Sequence, residues 1–192
     1  MGNSALYANT TGGYNTAVGR QALVNNTTGQ VNTSVGYQAL YSNTTASDND
    51  AHGYRALYSN TTGTFNVGMG GQSLYDNSTG SNNTAVGYQA LANNTTASNN
   101  VALGMKAGLS NTTGNRNTYI GTEAGETNQT GTHNCFVGAY AGEQTTSGYN
   151  SLLGDQAGYT ITTGQKNTVI GRYSGNQGGL DIRTSSNNIV LS

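Results

Sequence analysis

The chain has 192 residues, a net charge of −1, 33% hydrophobic residues, 8% charged residues, 29 glycines and no proline. Its seven Lys and Arg residues are scattered singly, so it lacks the basic patch that neutralises phosphates, and we expect no nucleic-acid partner. No apolar run approaches the roughly 18 residues of a membrane helix, so we expect no membrane insertion.

The sequence is one short unit repeated along the chain. Asparagine recurs about every seventeen residues, and glycine follows it four places later in every repeat from Asn15 to Asn167. The starting asparagines are Asn15, Asn32, Asn49, Asn66, Asn83, Asn100, Asn117 and Asn134, then Asn150, Asn167 and Asn188 after steps of sixteen, seventeen and twenty-one residues. We number each repeat from this asparagine, as position one. A fixed short period is typical of solenoids, so we predict an all-β, repetitive β-solenoid of about eleven coils.

Within each repeat, the pattern predicts a strand, a glycine bend, a second strand and a polar turn. Position four is aliphatic in most repeats, and we expect this column to be buried. Its members are Val18, Val35, Met69, Val86, Leu103, Ile120, Val137, Leu153 and Ile170. Glycine at position five indicates a positive φ or a close backbone approach. Positions six to nine are interpreted as the second strand, and the Asn-Thr-Thr segment as the turn.

Positions three and nine exchange size along the chain. Position three changes from Ala17, Ser34, Ala51, Gly68, Ala85 and Ala102 to Tyr119, Phe136, Leu152 and Val169. Position nine changes from Leu23, Leu40, Leu57, Leu74 and Leu91 to Gly108, Gly125, Gly142, Gly158 and Gly175. Because protein interiors are densely packed, this exchange predicts that both columns fill one core. It divides the chain into a first section (1–99), a transition coil (100–116), a second section (117–177) and a terminal transition strand (178–192).

A single coil offers few apolar side chains. Burial of apolar area contributes about 25 cal/mol per Å², whereas ordering the backbone costs roughly 1–2 kcal/mol per residue. Burial within a thin single-chain stack would offset little of this cost. We therefore expect an intertwined or side-by-side homotrimer, in which threefold closure also hides sheet edges. Met1 and Gly2 fall in register as positions four and five of a preceding repeat. We therefore expect a segment of a longer fibre polypeptide.

The segments at Asn83–Gly87 and Asn117–Gly121 resemble the head repeats of trimeric autotransporter adhesins. The segment from Asn167 to Ser192 looks more like marine bacteriophage tail-fibre proteins. The first resemblance implies a trimeric, left-handed β-roll; the second implies an array that precedes a C-terminal chaperone or tip domain. The present repeat is longer than the adhesin repeat by one polar turn.

Two histidines are candidate site residues. His52 replaces an aliphatic residue at position four and follows Asp50, so three copies on a threefold axis could ligate a metal or an anion. The alternative is a hydrogen-bonded core histidine, which we favour, and we expect no cofactor. His133 and Cys135 could share one strand face, but no third orienting group is evident. We therefore expect no catalytic residues and no enzyme activity.

Tyrosines recur at unit spacing in two columns. Tyr41, Tyr58 and Tyr75 occupy position ten, and Tyr37, Tyr54 and Tyr88 occupy position six. Such ladders could contact sugar rings on a host surface, or they could be structural stacks. Asn-x-Thr/Ser sequons recur at Asn9, Asn26, Asn43, Asn60, Asn77, Asn94 and Asn111, and we interpret them as turn chemistry.

Together these features favour a structural fibre segment of a phage tail fibre that projects or contributes to host-receptor binding, located in the virion. A first alternative is the head of a bacterial trimeric surface adhesin, located on the cell surface. A second is an ice-binding solenoid, although Asp50, Val67, Val101 and Cys135 interrupt the threonine row at position two. The expected partners are two further copies of the chain and a host glycan or protein receptor.

Overall fold

The computed structural model describes residues 2–192, so Met1 and its expected place at position four lie outside the described residues. Residues 2–192 contain thirteen short strands and no helix. The strands are β1 Thr16–Val18, β2 Thr33–Val35, β3 Asp50–His52, β4 Val67–Met69, β5 Thr84–Val86, β6 Val101–Leu103, β7 Thr118–Ile120, β8 Cys135–Val137, β9 Ser151–Leu153, β10 Thr168–Ile170, β11 Asn176–Gln177, β12 Leu180–Asp181 and β13 Ile189–Leu191.

Eleven of these strands form one parallel sheet in chain order, β1 to β10 followed by β13. Equivalent positions of neighbouring repeats pair, as Thr16 does with Thr33, and the register survives the sixteen-residue step, where Cys135 pairs with Ser151. Each repeat is therefore one coil of a solenoid. At about 4.8 Å between strands, the stack is about 50 Å long. The predicted all-β solenoid is confirmed; the left-handed coil and the trimer stay predictions.

The strands bury position three and not position four. Side chains alternate between the two faces of a strand, so only the middle residue of each three-residue strand points inward. Val18 and Ile170 at position four are 49% and 48% exposed. The prediction that position four forms the core of the coil is therefore wrong. The correction applies to Val18, Val35, Met69, Val86, Leu103, Ile120, Val137, Leu153 and Ile170, all exposed or half-buried in the single chain.

Positions three and nine share one core, as predicted from their reciprocal sizes. Leu57 and Phe136 are fully buried. A Cβ added to Gly68 would lie 3.3 Å from Cγ of Leu57, and one added to Gly142 would lie 2.7 Å from Cδ2 of Phe136. The bulk therefore comes from the turn in early coils and from the strand in later ones.

Positions six to nine do not form the second strand that the sequence predicts. After the bend at Gly19, which has a φ of 133°, Gln21 and Leu23 adopt left-handed φ values of 58° and 53°. A segment with left-handed residues at alternate positions cannot extend as a strand, so each coil has one strand and a long turn. Glycine at position five is also required by close approach, because a Cβ on Gly19 would lie 2.4 Å from the carbonyl oxygen of Gly36.

Two columns of buried asparagines connect successive coils. At position one, Asn66 accepts the backbone N–H of Asn83 at 3.0 Å and donates from Nδ2 to the carbonyl of Gly80 at 2.8 Å. At position twelve, Asn60 donates to Oδ1 of Asn43 at 3.0 Å. These amide ladders satisfy the polar groups of the turns inside the stack. The position-twelve ladder ends at Asn111, because Asn128 makes no bond to it and Oδ1 of both residues is buried without a partner among residues 2–192. Thr145 and then Ile161 follow in this column.

The terminal segment leaves the solenoid and rejoins it. β11 and β12 form an antiparallel hairpin whose turn residues Gly178 and Gly179 have φ values of 60° and 86°. Ile182 then returns to the core, and β13 pairs with β10 as the last strand of the sheet. The twenty-one-residue step is therefore one coil that carries a hairpin.

Candidate functional site

The outer face of the sheet carries an exposed apolar column. We call the outward-facing side chains at positions two and four of β1 to β10 and β13 the outer strip. At position four the strip is exposed by 39% at Met69, 37% at Val86, 37% at Leu103 and 39% at Leu153. Position two adds mainly threonine and valine. The strip is therefore a continuous, mostly uncharged surface along the length of the rod.

The Asp50–His52 rung interrupts this strip. Both side chains lie on the outer face of β3, and Nε2 of His52 is 2.8 Å from Oδ1 of Asp50. His52 is therefore not the core residue that the favoured interpretation expected. The pair lies within ion-pair distance, but Oδ1 of Asp50 has no hydrogen-bond partner among residues 2–192. Among residues 2–192 no three His, Cys, Asp or Glu side chains of one chain come together to hold a metal ion. Ligation by three copies of His52 stays a prediction.

His133 and Cys135 lie in different parts of the coil surface. The His133 ring stacks on Tyr149 with centroids 4.9 Å apart, and its Nε2 is 3.3 Å from Nη1 of Arg116. Cys135 lies half-buried on the outer strip, at the start of β8. Each residue therefore has a structural place in its own column.

The tyrosines predicted as ladders form two stacks on the long turn of the first section. Tyr41, Tyr58 and Tyr75 stack with centroids 5.0 and 5.2 Å apart and interplanar angles of 9°. Tyr37 and Tyr54 stack at 5.7 Å in the neighbouring column. Tyr88 is 52% exposed, and its ring lies 3.5 Å from where a Cβ of Gly71 would be. Tyr88 thus covers the glycine that ends the position-six stack.

Two arginines that the sequence alone did not indicate lie against the tyrosine rings of these stacks. Cζ of Arg55 lies 5.2 Å from the Tyr54 centroid and 5.4 Å from the Tyr58 centroid, so this guanidinium connects the two tyrosine columns. Cζ of Arg20 lies 6.0 Å from the Tyr37 centroid. The repeat register contained the signal, because Arg20 shares position six with Tyr37, and Arg55 at position seven directly follows Tyr54. We call Arg20, Tyr37, Tyr41, Tyr54, Arg55, Tyr58 and Tyr75 the arginine–tyrosine face.

The corresponding turns of the second section carry carboxylates. A shallow groove of about 450 Å³ is lined by Glu123, Tyr140, Glu143, Gln156 and Tyr159. Glu123 and Glu143 are half-buried near Lys106, at positions seven and ten of their repeats.

Lys106 neutralises only part of this charge. Its Nζ lies 3.3 Å from Glu126 and 3.6 Å from Glu123. Desolvation, with repulsion from Glu126 and Glu123, raises the pKa of Glu143 above its ordinary value. The groove is therefore an electronegative surface on the same side of the coils as the arginine–tyrosine face.

The sequons are structural. The asparagine side chains at Asn26, Asn43, Asn60, Asn77, Asn94 and Asn111 are fully buried. Asn43, for example, donates to the carbonyl of Ala46 at 3.0 Å. The amide nitrogen that would carry a glycan is thus hidden in the folded solenoid, in agreement with the turn interpretation.

Residues 2–192 include no helix long and apolar enough to cross a membrane. Comparison of the chain with protein-family models, curated proteins and solved structures finds no match.

Proposed function

We propose that this chain is a structural segment of a phage tail fibre, which assembles as a homotrimer and projects or contributes to the binding of a host receptor. The role is mechanical and adhesive, not catalytic. The observation that carries the proposal is the outer strip, whose position-four column is apolar on every strand of the eleven-stranded sheet except β3, where His52 takes that place.

The size of the strip favours burial against other chains. Eleven strands of three residues give a face of about 50 Å by about 10 Å, or roughly 500 Å², of which the position-four column is the apolar part. Monomeric proteins rarely expose contiguous apolar patches larger than a few hundred Å², and such patches usually mark interaction sites. Copies of the same rod match this length and straightness, and closed rotational symmetry would cover each strip with its neighbours. Three chains are proposed because the repeat resembles those of known trimeric rods.

A rod of this kind would provide reach and stiffness. Each coil is bonded to the next through the parallel sheet, the long turn and the position-one asparagine ladder, and up to Asn111 also through the position-twelve ladder. A bend must therefore break several columns of hydrogen bonds together. Placement in a virion follows from the tail-fibre resemblance. The same geometry would serve the head of a bacterial surface adhesin, which is the first alternative.

Charges placed on the strip test the proposal. The variant Val86→Asp/Leu103→Asp puts two carboxylates on the strip of neighbouring strands. The matched control Thr96→Asp/Thr113→Asp puts the same charges on exposed turns of the same coils. We expect sedimentation velocity to show single chains for the strip variant and trimers for the control. Trimers of unchanged stability in both variants would remove the strip from the interface and overturn the proposal.

One observation favours ice binding as a second candidate. Position fourteen carries an unbroken row of exposed threonines, one per coil: Thr28, Thr45, Thr62, Thr79, Thr96, Thr113 and Thr130. At a spacing of about 4.8 Å, the row offers regularly repeated hydroxyl and methyl groups to water. A thermal hysteresis assay tests this candidate, and freezing-point behaviour identical to that of a control protein would contradict it.

A further inference from the structure

We propose that the arginine–tyrosine face binds an acidic saccharide, whose carboxylate or sulfate groups are held by Arg20 and Arg55 and whose sugar rings pack on the tyrosines. This inference rests on the proposed function, because it names the class of host glycan that the fibre would contact. It assigns the binding to the first section and to its two arginines.

Arg55 is held in place before any ligand arrives. The Arg55 guanidinium lies over both Tyr54 and Tyr58, and its Nε donates to Oε1 of Gln38 at 2.9 Å. Gln38 in turn donates from Nε2 to Oε1 of Gln21 at 2.9 Å. A guanidinium that uses its faces for stacking and one N–H for a side-chain bond keeps its remaining donors available. Preorganisation of this kind lowers the entropy lost when a ligand binds.

The charge of these arginines is not consumed within the chain. Among residues 2–192, neither Arg20 nor Arg55 lies within ion-pair distance of a carboxylate. By contrast, Arg172 lies 3.3 Å from Asp155, and Arg183 lies 2.7 Å from Asp181. Guanidinium groups bind carboxylates and sulfates through paired, charge-assisted hydrogen bonds. The two free guanidiniums therefore favour an anionic ligand over a neutral one.

The tyrosines favour a saccharide as the carrier of that anion. Aromatic rings combine an apolar surface with a polar edge, which suits the faces and hydroxyls of sugar rings. Tyr54 is 49% exposed, and the half-buried stack of Tyr41, Tyr58 and Tyr75 continues the surface over three coils. Arg20 and Arg55 lie on the first and third of three consecutive coils, so a chain-like ligand could contact both.

The second section provides an internal contrast. Its groove has Glu123 at position seven, the column of Arg55, and Glu143 at position ten, the column of the stacked tyrosines. Desolvation and repulsion from Glu126 and Glu123 raise the pKa of Glu143. An acidic saccharide should therefore be repelled there. The binding site is expected to be confined to the first section, although tyrosines occur in both.

The test compares charge-matched variants and ligands. Calorimetry would measure the binding of oligogalacturonate, which carries carboxylates, a sulfated heparin oligosaccharide, and a neutral malto-oligosaccharide of equal length. We expect one or both anionic oligosaccharides to bind at low salt and to bind more weakly as salt rises. Arg20→Gln/Arg55→Gln should reduce affinity at least about tenfold, as loss of a charge-assisted bond predicts. The control Arg172→Gln should bind as the unchanged protein does.

A second variant tests the stacking contribution. Tyr54→Ala keeps both charges and removes one ring, so it should weaken binding less than the double arginine variant, and Tyr54→Phe should restore it. The proposal is overturned if the neutral oligosaccharide binds as well as the anionic ones, or if no anionic oligosaccharide binds. It is also overturned if Arg20→Gln/Arg55→Gln binds with the same affinity as the control Arg172→Gln. The molar mass of the same samples tests the fibre proposal separately. A trimer that does not bind acidic saccharides would contradict the saccharide site and leave the proposed fibre function standing.

Discussion

The two sections of the solenoid fill the same core from opposite sides. In residues 15–99, leucines of the long turn occupy it and position three is small; in residues 117–177, position three is large and the turn carries glycine. The parallel sheet continues through the change without a break. Backbone geometry is therefore separable from the residues that provide the bulk.

The backbone at position nine explains why both solutions work. Leu57 has a φ of 51° and Gly125 a φ of 63°, so the turn keeps the same left-handed conformation in both sections. A leucine in this conformation costs roughly 1–2 kcal/mol, and its full burial contributes about 1.5–3 kcal/mol. The second section avoids the strain and moves its bulk to strand residues. Burial of the position-nine leucine can therefore offset the cost of its left-handed backbone in every coil of the first section.

The largest expected effect comes from emptying the core of the second section. Phe136→Ala should destabilise the fold by about 3–5 kcal/mol, because Gly125 and Gly142 cannot fill the space. Adding Gly142→Leu recreates the pattern of the first section and should recover part of this loss. Thermal unfolding followed by circular dichroism checks both variants. A double variant no more stable than Phe136→Ala would contradict the shared core.

A smaller change at the same place tests close packing. Gly125→Ala should cost about 2–4 kcal/mol, because its left-handed φ disfavours alanine and the new Cβ would lie 2.4 Å from Cε1 of Tyr119. The matched control is Gly13→Ala, since a Cβ at Gly13 meets nothing within 4 Å. Equal denaturation midpoints for the two variants would show that the turn is looser than described.

The asparagine ladder provides a test in the first section. Asn60→Ala removes bonds from Nδ2 to Asn43 at 3.0 Å and to Gly63 at 2.9 Å, and leaves Nδ2 of Asn77 without its 2.9 Å acceptor. We expect a loss of about 1–3 kcal/mol in unfolding free energy, the cost of stranding buried polar groups. Urea unfolding measures it. An unchanged midpoint would mean that the ladder contributes nothing to stability.

Tyr119 is the first large residue at position three, where the second section begins, and it has a hydroxyl group that Phe136 lacks. Its hydroxyl is buried without a hydrogen-bond partner among residues 2–192, and this burial raises its pKa. Tyr119→Phe should therefore stabilise the protein by about 1 kcal/mol. The same urea experiment checks the sign. A destabilised Tyr119→Phe variant would show that the hydroxyl makes a useful bond in solution.

The smallest expected effect is electrostatic. Because the pKa of Glu143 is raised in the folded state, its ionisation opposes folding, and this penalty is absent below the unfolded pKa of about 4.5 and fully present above the folded pKa. Glu143→Gln should therefore raise stability at pH 7 by less than about 0.5 kcal/mol, and the gain should disappear at low pH. Melting curves at both pH values check it. A gain that is equal at both would assign the effect to something other than charge.

The sequence predicts the repeat, the strand and the shared core well, because these follow from period and volume alone. It fails on Val18 and its equivalents, because aliphatic character does not show which face of a three-residue strand is inside. It also misses the left-handed turn, since Gln21 and Leu23 ordinarily avoid that conformation. The arginine–tyrosine face required contacts between neighbouring coils, such as Arg55 over Tyr54, that no single repeat reveals.

Lateral association of these rods through the outer strip is the central claim, and the molar mass of the unmodified protein in solution tests it most directly. Light scattering coupled to size exclusion should give three times the mass of one chain, unchanged on dilution. A mass equal to that of a single chain, with the β-sheet spectrum intact, would contradict the claim.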